Sequence, residues 1–384
     1  MSISEKIIYR NVFSEIGKTQ EEIERKINEA VQTFFFDEEE RIYHEVGDDM
    51  GYLLDTGNND ARTEGMSYGM MMAVQLDRKD IFDRIWKWAR TYMYMEDGEN
   101  EGYFAWSCKP DGTKNATGPA PDGEEFFAMS LFFASHRWGD GEGIFAYSEQ
   151  AKAILRACLH KGENGRAGAP MWNHDNHLFL FVPGCPFTDP SYHLPHFYEL
   201  FALWADEEDQ PFFREAAKAS REFLVTACHP KTGLNAEYSY FDGSPMKEKL
   251  PWGEFGDFFS DAYRTAANIG LDAEWYGKDA GHYAVPLRMM QFFRTDLEAV
   301  RCAYEVDGTP LMRPVLHPLG LLATLAQSAL AIPYSDESDS AFAVAKKWVE
   351  WFWNEPLRKG DRRYYDNCLS MFAILALSGN YRIW

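Results

Sequence analysis

The chain carries its most informative segment at Asn58-Asn-Asp-Ala-Arg-Thr-Glu-Gly-Met-Ser-Tyr-Gly-Met-Met-Met72. Its apolar character continues to Leu76, so the pattern predicts a helix over about Arg62–Leu76, with Asn59 or Asp60 capping the first turn. Because nearly every residue after the cap is apolar or small, this helix should be surrounded by protein on all sides.

One acid, Glu64, stands where the predicted cap meets the buried run. A carboxyl group that is partly removed from water holds its proton more tightly than in solution. If it stays protonated near neutral pH, it can give that proton to a leaving group. The alternative is that Glu64 only complements the positive end of a helix dipole.

Two kinds of helix alternate along the rest of the chain. The amphipathic, charged helices are predicted at roughly Glu22–Phe36, Lys79–Met95, Phe145–Lys161, Gln210–Cys228, Trp275–Arg294 and Ser338–Trp353. The helices that are apolar nearly all round are predicted at roughly Arg62–Leu76, Gly123–Trp138, Tyr192–Asp206, Phe258–Asp272, Pro318–Ala331 and Tyr365–Ser378. Strict alternation of an outer with an inner helix, six times, predicts an all-α (α/α)6 barrel of two concentric rings. No linker interrupts the pattern, so residues 1–384 are predicted to form a single catalytic domain.

The inner helices of such a barrel run parallel, so their N-termini should meet at one mouth. The residues at the six predicted starts are Glu64, Asp122, Tyr192, Asp261, His317 and Tyr365. The long loops 96–122 and 162–191 lead into inner helices and carry Trp106 and Trp172. Long loops on one face of a rigid scaffold commonly form binding sites, so we expect the functional site at this mouth.

Composition narrows the class of ligand. The 384 residues are 46% hydrophobic and 16% aromatic, with 12 Trp, and this excess indicates flat faces along a groove where sugar rings or other planar ligands could stack. The alternative, which stays open for Phe, is that a large helical protein simply packs its aromatic residues in the core. Acidic residues outnumber basic ones 60 to 38, and the net charge of −22 argues against nucleic acid and anionic membranes as partners. No apolar run of about 18 residues is present, so no membrane span is predicted.

The first residues, Met1 to Tyr9, lack the long apolar segment of a secretory signal, so a cytoplasmic protein is predicted unless a signal has been removed. The six cysteines are far apart, which predicts reduced, mostly buried thiols. His193 and His196 could form a metal pair, but the histidines lack strict ligand spacing. We therefore predict neither a metal nor a cofactor, and the sequence leaves the oligomeric state open.

Two acids facing each other across a groove are typical of glycoside hydrolysis, in which one protonates the glycosidic oxygen and the other activates water or attacks the sugar. Asp261 follows a predicted cap, Ser260, and Arg264 lies three residues further on the same helical face. A nearby cation lowers the pKa of an aspartate and keeps it ionised, as a base requires. A plain intrahelical ion pair is the alternative.

The third acid, Asp122, begins the second inner helix. It could serve the same chemistry as the other two. The alternative is a helix cap followed by Glu124 and Glu125, two acids matched to the helix dipole.

The segment Thr63-Glu-Gly-Met-Ser-Tyr-Gly-Met70 resembles the Ser/Thr-Glu-Gly-x-Ser-Tyr-Gly signature of family-eight glycoside hydrolases, inverting enzymes built on an (α/α)6 barrel. Further similar pieces follow in the order of the family, over nearly the whole chain. They are Ala105-Trp106, Asp122 before a Phe-rich helix, Asp189-Pro-Ser-Tyr192, Asp261-Ala-Tyr-Arg264 and Tyr364-Tyr-Asp-Asn-Cys-Leu-Ser-Met371.

The resemblance implies a role for each matching residue. Glu64 would be the general acid, Asp261 the general base, and Asp122 the carboxylate that holds the reacting sugar and water. The remaining implied residues are Tyr192 as a partner of that water, Trp106 and Tyr365 along the sugar groove, and Arg264 orienting Asp261. The position of Asp261 matches the cellulase- and xylanase-type branch of the family rather than the chitosanase-type branch.

Within the family, the resemblance is nearest to intracellular members that release xylose from the reducing end of β-1,4-xylo-oligosaccharides. The segment Arg313-Pro-Val-Leu-His-Pro318 offers a physical basis for exo action, because its prolines stiffen the turn before the fifth inner helix. Such a turn could close one end of the groove, with His317 bonding a terminal sugar hydroxyl. The alternative is a helix-start proline beside a packed histidine.

Three other functions stay open. The first is an endo-acting xylanase or endoglucanase of the same family. The second is an (α/α)6 sugar epimerase or isomerase, which needs histidine acid/base pairs at the mouth, whereas acids dominate here. The third is a non-catalytic sugar-binding barrel, although Glu64, Asp122 and Asp261 are all present.

Overall fold

Helices make up most of the computed structural model, which describes residues 8–277, 280–294, 302–335 and 340–384. Within these residues we number thirteen α-helices in chain order. They are α1 (Val12–Glu15), α2 (Gln20–Val31), α3 (Thr63–Gln75), α4 (Lys79–Trp88), α5 (Pro121–Trp138), α6 (Tyr147–His160), α7 (Pro195–Trp204), α8 (Gln210–Ala227), α9 (Arg264–Tyr276), α10 (Ala280–Phe293), α11 (Pro318–Gln327), α12 (Ser340–Asn354) and α13 (Arg363–Leu377).

The helices form two concentric rings. Each of α3, α5, α7, α9, α11 and α13 packs against the next in this order, and α13 packs against α3, which closes the inner ring. The outer helices α4, α6, α8, α10 and α12 pack on α3, α5, α7, α9 and α11, and α2 packs on α13. This is the predicted (α/α)6 barrel, and the fold class is confirmed.

Burial explains why the two kinds of helix take these places. Every residue of α3 is buried except Glu64, as its all-round apolar sequence predicts. Outer helix α4 instead buries one face, through Ile81, Phe82, Ile85, Trp86 and Trp88, and leaves its charged residues outside. No helix of the described residues combines the length and the apolar character needed to cross a bilayer.

Within the described residues, three short antiparallel two-stranded sheets, which were not predicted from the sequence, lie between the helices. They pair β1 (Tyr43–Val46) with β2 (Met50–Leu53), β3 (Ala61–Arg62) with β4 (Ser107–Cys108), and β5 (Cys302–Tyr304) with β6 (Pro310–Pro314). Strands of two to five residues are too short to produce a clear alternating pattern. Part of the predicted Arg313–Pro318 turn therefore belongs to a strand.

The predicted helix caps are wrong. Arg62, not Asn59 or Asp60, precedes α3, and no side chain caps that helix. The chain enters α3 from β3, and Asp60 binds Arg62 and Ser107 instead. Ser260 does not cap its turn either, because it is itself the first residue of a 3-10 turn.

Several inner helices begin later than predicted. Tyr192 ends a 3-10 turn (Pro190–Tyr192), and α7 starts only at Pro195, which is suited to a first helical turn. The fifth outer helix does not begin at Trp275, because α9 runs to Tyr276 and ends at Gly277, whose φ of 58° is left-handed. The predicted start of the last outer helix, Ser338, lies outside the described residues.

Candidate active site

Arg264, the first residue of α9, lies at the centre of the barrel mouth. Its side chain is 5% exposed. Nη1 donates hydrogen bonds to Glu64 Oε2 at 3.1 Å, to Asp122 Oδ2 at 2.9 Å and to the Tyr68 hydroxyl at 2.9 Å. One guanidinium therefore joins the starts of three inner helices.

The other side of the same guanidinium faces two more acids. Nη2 lies 3.7 Å from Asp189 Oδ2 and 3.7 Å from Asp261 Oδ1. The rings of Tyr192 and Tyr365 lie 5.4 and 6.0 Å from the guanidinium carbon. Four carboxyl groups and two tyrosine rings thus surround one buried cation.

His317 completes the set, because its ring lies 4.8 Å from that of Tyr365. The structure therefore brings together the residues predicted at all six inner helix starts. The geometry leaves their chemical roles as predictions, since it places the side chains without showing what each one does.

Glu64 has the environment of a neutral acid. Its side chain is 17% exposed, and Oε1 accepts a hydrogen bond of 3.0 Å from the Tyr364 hydroxyl. Burial raises the pKa of Glu64 to about 8, the charges of Asp122 and Asp261 add to the shift, and Arg264 opposes it. The direction of this shift agrees with the sequence-based prediction, and it favours the protonated form of Glu64.

Two glycines allow the helices around Glu64 to approach each other. A Cβ at Gly65 would collide with the Tyr364 side chain, whose hydroxyl binds Glu64. A Cβ at Gly123, the residue after Asp122, would collide with the Thr63 side chain. The Glu-Gly and Asp-Gly pairs of the sequence therefore place each acid at a close helix contact.

Asp122 is 5% exposed, and its two oxygens accept hydrogen bonds from Arg264 and from the Gly123 N–H. Burial raises the pKa of Asp122, and Arg264 opposes that shift. Glu124 and Glu125 do not match the helix dipole as charges, because burial raises the pKa of both well above the usual range. They accept hydrogen bonds from the Phe104 N–H and the Tyr198 hydroxyl.

Asp261 is the most accessible of the four acids, with a side chain that is 35% exposed. It lies on the 3-10 turn Ser260–Tyr263 that leads into α9. Its ion pair with Arg264, three residues further on, is present as predicted. Asp261 therefore forms the predicted ion pair with Arg264 and at the same time keeps its carboxyl group accessible to water.

His317 is nearly buried and tied to the last inner helix. Nδ1 lies 3.0 Å from Asp366 Oδ2, and Asp366 also accepts hydrogen bonds from the Gly320 N–H and from Arg358. The residue directly precedes Pro318, the first residue of α11. The packed histidine at a helix-start proline is thus observed, and its position beside Tyr365 keeps it at the mouth.

Trp106 lies next to the start of α3 rather than on the Arg264 cluster. Its carbonyl accepts a hydrogen bond of 3.0 Å from the Thr63 N–H, and its indole is 39% exposed with Arg62 5.3 Å from the ring centroid. It borders a cavity of about 770 Å³ together with Asn100, Asn115 and other residues of the neighbouring loops. An open aromatic face beside a cavity suits a sugar ring.

Several residues of this site were not predicted from the sequence to have a role. Asp189 is fully buried, burial raises its pKa to about 8, and its Oδ1 accepts a hydrogen bond from the Ser191 N–H. Tyr68, Tyr364 and Asp366 bind Arg264, Glu64 and His317. The available signal was adjacency, because each lies in or next to a segment already quoted for the family resemblance.

The histidine pair offers no support for a metal. His193 uses both ring nitrogens, at 2.9 Å from the Thr188 hydroxyl and 2.9 Å from the Ser220 hydroxyl, and burial lowers its pKa to about 3. In the ranges that the structure describes, no group of three or more His, Cys, Asp or Glu is arranged to hold a metal ion. All six cysteines are free thiols, and four of them are buried, as predicted.

Comparisons with known proteins agree with this geometry. The profile of the glycosyl hydrolases family 8 matches residues 48–311. The reducing end xylose-releasing exo-oligoxylanase of Halalkalibacterium halodurans is 59% identical over 379 residues, which cover 98% of this chain and 94% of that protein. Endoglucanase 2 of Ruminiclostridium josui is 25% identical over 84% of this chain and 65% of its own length.

Solved structures give the same result. A variant of Rex8A from Paenibacillus barcinonensis, complexed with 3(3)-alpha-L-arabinofuranosyl-xylotetraose, superposes with a TM-score of 0.92. Its sequence is 54% identical, and the match covers 97% of this chain and 96% of that one. The likeness therefore extends over the whole barrel.

Proposed function

The chain is a glycoside hydrolase that belongs to glycosyl hydrolase family 8, and we propose that it cleaves β-1,4-xylo-oligosaccharides and releases xylose from their reducing ends. Its similarity to the Halalkalibacterium halodurans exo-oligoxylanase, at 59% identity over nearly both chains, supports this substrate class. The complex of the Rex8A variant with a substituted xylotetraose supports an oligosaccharide as the ligand.

The observation that carries the mechanism is the contrast between two acids on one guanidinium. Glu64 is buried, which raises its pKa and favours its protonated form, whereas Asp261 is partly open to water. In the proposed reaction Glu64 protonates the glycosidic oxygen while Asp261 takes a proton from the attacking water on the opposite face of the sugar. Inversion requires the two carboxyl groups to be about 6.5–9.5 Å apart, which leaves room for that water.

The neighbouring residues take supporting roles in this proposal. Asp122, fixed by Arg264 and the Gly123 N–H, would hold the reacting sugar and the water. Tyr192 would contact the same water, and Tyr365 would line the groove where the reacting sugar lies. Trp106 would stack on a more distant sugar ring at the cavity that it borders.

Arg264 would serve both halves of the reaction. It orients Asp261 through the ion pair at 3.7 Å, and it holds Glu64 and Asp122 through direct hydrogen bonds. A planar guanidinium suits this task because its N–H groups point in fixed directions and its charge does not titrate.

Release from the reducing end is proposed to depend on His317. Because its Nδ1 faces the Asp366 carboxylate, Nδ1 carries the proton and Nε2 is the acceptor in the neutral ring. Arg358 fixes this arrangement from behind, since it donates to both Asp366 and the Leu316 carbonyl. His317 Nε2 would accept a hydrogen bond from a hydroxyl of the terminal xylose.

We further propose that residues 1–384 form a single catalytic domain and that the enzyme works in the cytoplasm on imported oligosaccharides. Matches that cover 98% of the chain support the first statement. Six free thiols, two of them partly exposed, support a reducing compartment.

The test is a digest of a xylotriose-to-xylohexaose series, with time-resolved chromatography and NMR of the anomer first released. We expect xylohexaose to give xylopentaose and xylose as the first products, with the new reducing end as the α-anomer. Xylohexaitol, in which the terminal sugar is reduced, should resist cleavage at that end. Mixed products of intermediate length would indicate endo action, and a β-anomer would contradict inversion. Cello-oligosaccharides of equal length serve as the substrate control.

A further inference from the structure

We infer that Glu237 and Arg313 are positioning residues, which hold the proposed base Asp261 in place from beneath its turn. The inference rests on the function proposed above, because it takes Asp261 as the group that activates water. The contacts that support this role do not involve Arg264. They are made by the backbone around the Ser260–Tyr263 turn and by the Glu237–Arg313 pair.

The turn that carries Asp261 is strained. Ser260 directly before it has a φ of 33°, in the left-handed region that residues other than glycine rarely adopt. No side-chain hydrogen bond caps the turn from its own N-terminal side. A strained backbone persists only where surrounding groups hold it, so other parts of the chain must fix Asp261.

Two neighbouring segments form hydrogen bonds with the backbone of Asp257 and Phe258, just before the turn. The Glu237 N–H donates to the Asp257 carbonyl at 2.9 Å. On the other side, Phe258 and Tyr304 exchange two backbone hydrogen bonds of 2.8 and 3.2 Å. The Asp261 N–H lies close enough to the Glu237 carboxyl group to favour its charged form. Glu237 thus contacts the base-bearing segment at both ends.

The carboxylate of Glu237 is an unusual group to find at this place, because its residue is only 3% exposed. Oε2 has no hydrogen-bond partner among the described residues, and Arg313 Nη2 lies 3.9 Å away. A buried acid is costly unless a cation and hydrogen bonds compensate it. Burial raises the pKa of Glu237 well above its usual range, the charge of Asp261 adds to that shift, and Arg313 is the nearby cation that opposes it.

Arg313 also reaches the segment that it supports. Its Nη2 lies 3.9 Å from Asp257 Oδ2, and its guanidinium carbon lies 3.8 Å from the centroid of the Phe259 ring. One side chain therefore touches the buried acid beneath the turn and two residues just before Asp261. Without Arg313, the Glu237 carboxyl group would lose its neighbouring cation, and the segment before Asp261 would lose its contacts at Asp257 and Phe259.

Arg313 lies on the same short segment of the chain as His317. It lies at the end of β6, four residues before His317, so one segment supports the base and carries the residue proposed to bind the terminal xylose. Within the part of the chain that the structure describes, the ion pairs and ring contacts of Glu237 and Arg313 reach Asp257 and Phe259 but not Glu64. We therefore expect changes at these two residues to weaken the base and to leave the acid intact.

The test is a double-mutant cycle between Glu237→Ala and Asp261→Ala, measured as kcat and KM on xylotriose. Alone, Glu237→Ala should lower kcat by about 30-fold with KM within about 3-fold, because a misplaced base slows the chemistry more than the binding. In the Asp261→Ala background the same change should cost less than about 3-fold, since its effect passes through Asp261. Effects that multiply in the double variant would overturn the inference.

Two further variants keep the test decisive if Glu237→Ala folds poorly. Glu237→Gln keeps the size of the side chain and an acceptor for the Asp261 N–H, so it should retain kcat within about 5-fold, which separates the loss of the whole side chain from the loss of its charge. Arg313→Met keeps contact with Phe259 but loses the charge, and it should repeat the loss of kcat and the non-additivity with Asp261→Ala. Wild-type kcat in both Glu237→Ala and Arg313→Met would contradict a positioning role.

The failure of this inference can be told apart from the failure of the proposed function. If the wild type does not cleave xylotriose, the proposed substrate is wrong, and the cycle is run on the oligosaccharide that it does cleave. If the wild type cleaves xylotriose but the cycle is additive, only the positioning role of Glu237 and Arg313 is lost.

Discussion

The two acids proposed to act in catalysis share one cation and differ in their access to water. Glu64 is 17% exposed and receives hydrogen bonds from Arg264 and Tyr364. Asp261 is 35% exposed and only approaches Arg264, at 3.7 Å. Burial disfavours the charged form of a carboxyl group, so Glu64 is held towards its neutral form, whereas the Asp261 carboxyl group stays open to water beside the same guanidinium. Exposure, not the charge partner, separates the two roles.

The backbones beneath the two acids differ as well. Glu64 lies in the first turn of α3, where Gly65 and Gly123 permit the close contacts that fix it. Asp261 lies on a short turn whose preceding residue, Ser260, has a left-handed φ. The helical packing that buries the acid cannot also leave the base open, and the turn provides the exposed position that the base requires.

The largest expected effect is that of Glu64→Gln. Without a proton donor, kcat on xylotriose should fall by about 10³–10⁴-fold, because the departing sugar oxygen is a poor leaving group unless it is protonated. β-Xylobiosyl fluoride, whose fluoride departs without protonation, should be hydrolysed within about 10-fold of the wild-type rate. Steady-state kinetics on both substrates measures this contrast.

The same two substrates supply the control for this variant. Loss of fluoride hydrolysis comparable to the loss on xylotriose would mean that Glu64 does more than donate a proton. Near-normal cleavage of xylotriose would remove it from the mechanism altogether.

Asp261→Asn should cost somewhat less, about 10²–10³-fold in kcat, because water still reaches the sugar but is no longer deprotonated. Here the loss should be equal on xylotriose and β-xylobiosyl fluoride, since both reactions need an activated water. This variant tests the proposed base in the same way as Glu64→Gln tests the proposed acid. A selective recovery on the fluoride would assign the proton-donor role to Asp261 and reverse the proposal.

The alternation of helices made the barrel and its mouth predictable from the sequence. All-round apolar helices such as α3 must be buried and charged ones such as α4 must face water, so the two rings follow from composition along the chain. Parallel inner helices then bring Glu64, Asp122 and Asp261 to one end, whatever the details of the loops. This part of the site depends on topology alone.

Finer features depended on contacts that the sequence does not display. Asp60 was predicted to cap α3 but binds Arg62 and Ser107, because a two-residue strand leads into the helix. Arg264 was expected to orient one acid, yet its guanidinium reaches four. Such multiple partners arise only when distant segments meet, and no local pattern announces them.

The smallest expected effect concerns pH. Since Glu64 must hold its proton to act and burial raises its pKa to about 8, kcat/KM should fall as the pH rises through about 8. The charge of Asp122 contributes to that upward shift, and Asp122 also shares Nη1 of Arg264 with Glu64. Asp122→Asn removes the charge and leaves Arg264 to Glu64, so the alkaline limb should move about 1 pH unit lower, whatever the loss in absolute rate.

Asp189→Asn is the matched control for this shift. Asp189 is also a buried acid beside Arg264, but it faces Nη2, the side of the guanidinium away from Glu64. Its substitution should therefore leave the alkaline limb of the kcat/KM profile within about 0.3 pH units of the wild type. Equal shifts in the two variants would mean that Glu64 senses the total charge around Arg264 rather than its shared hydrogen-bond partner. An upward shift in Asp122→Asn would show that a group other than Glu64 sets the limb, because removing a negative charge can only lower the pKa of a nearby acid.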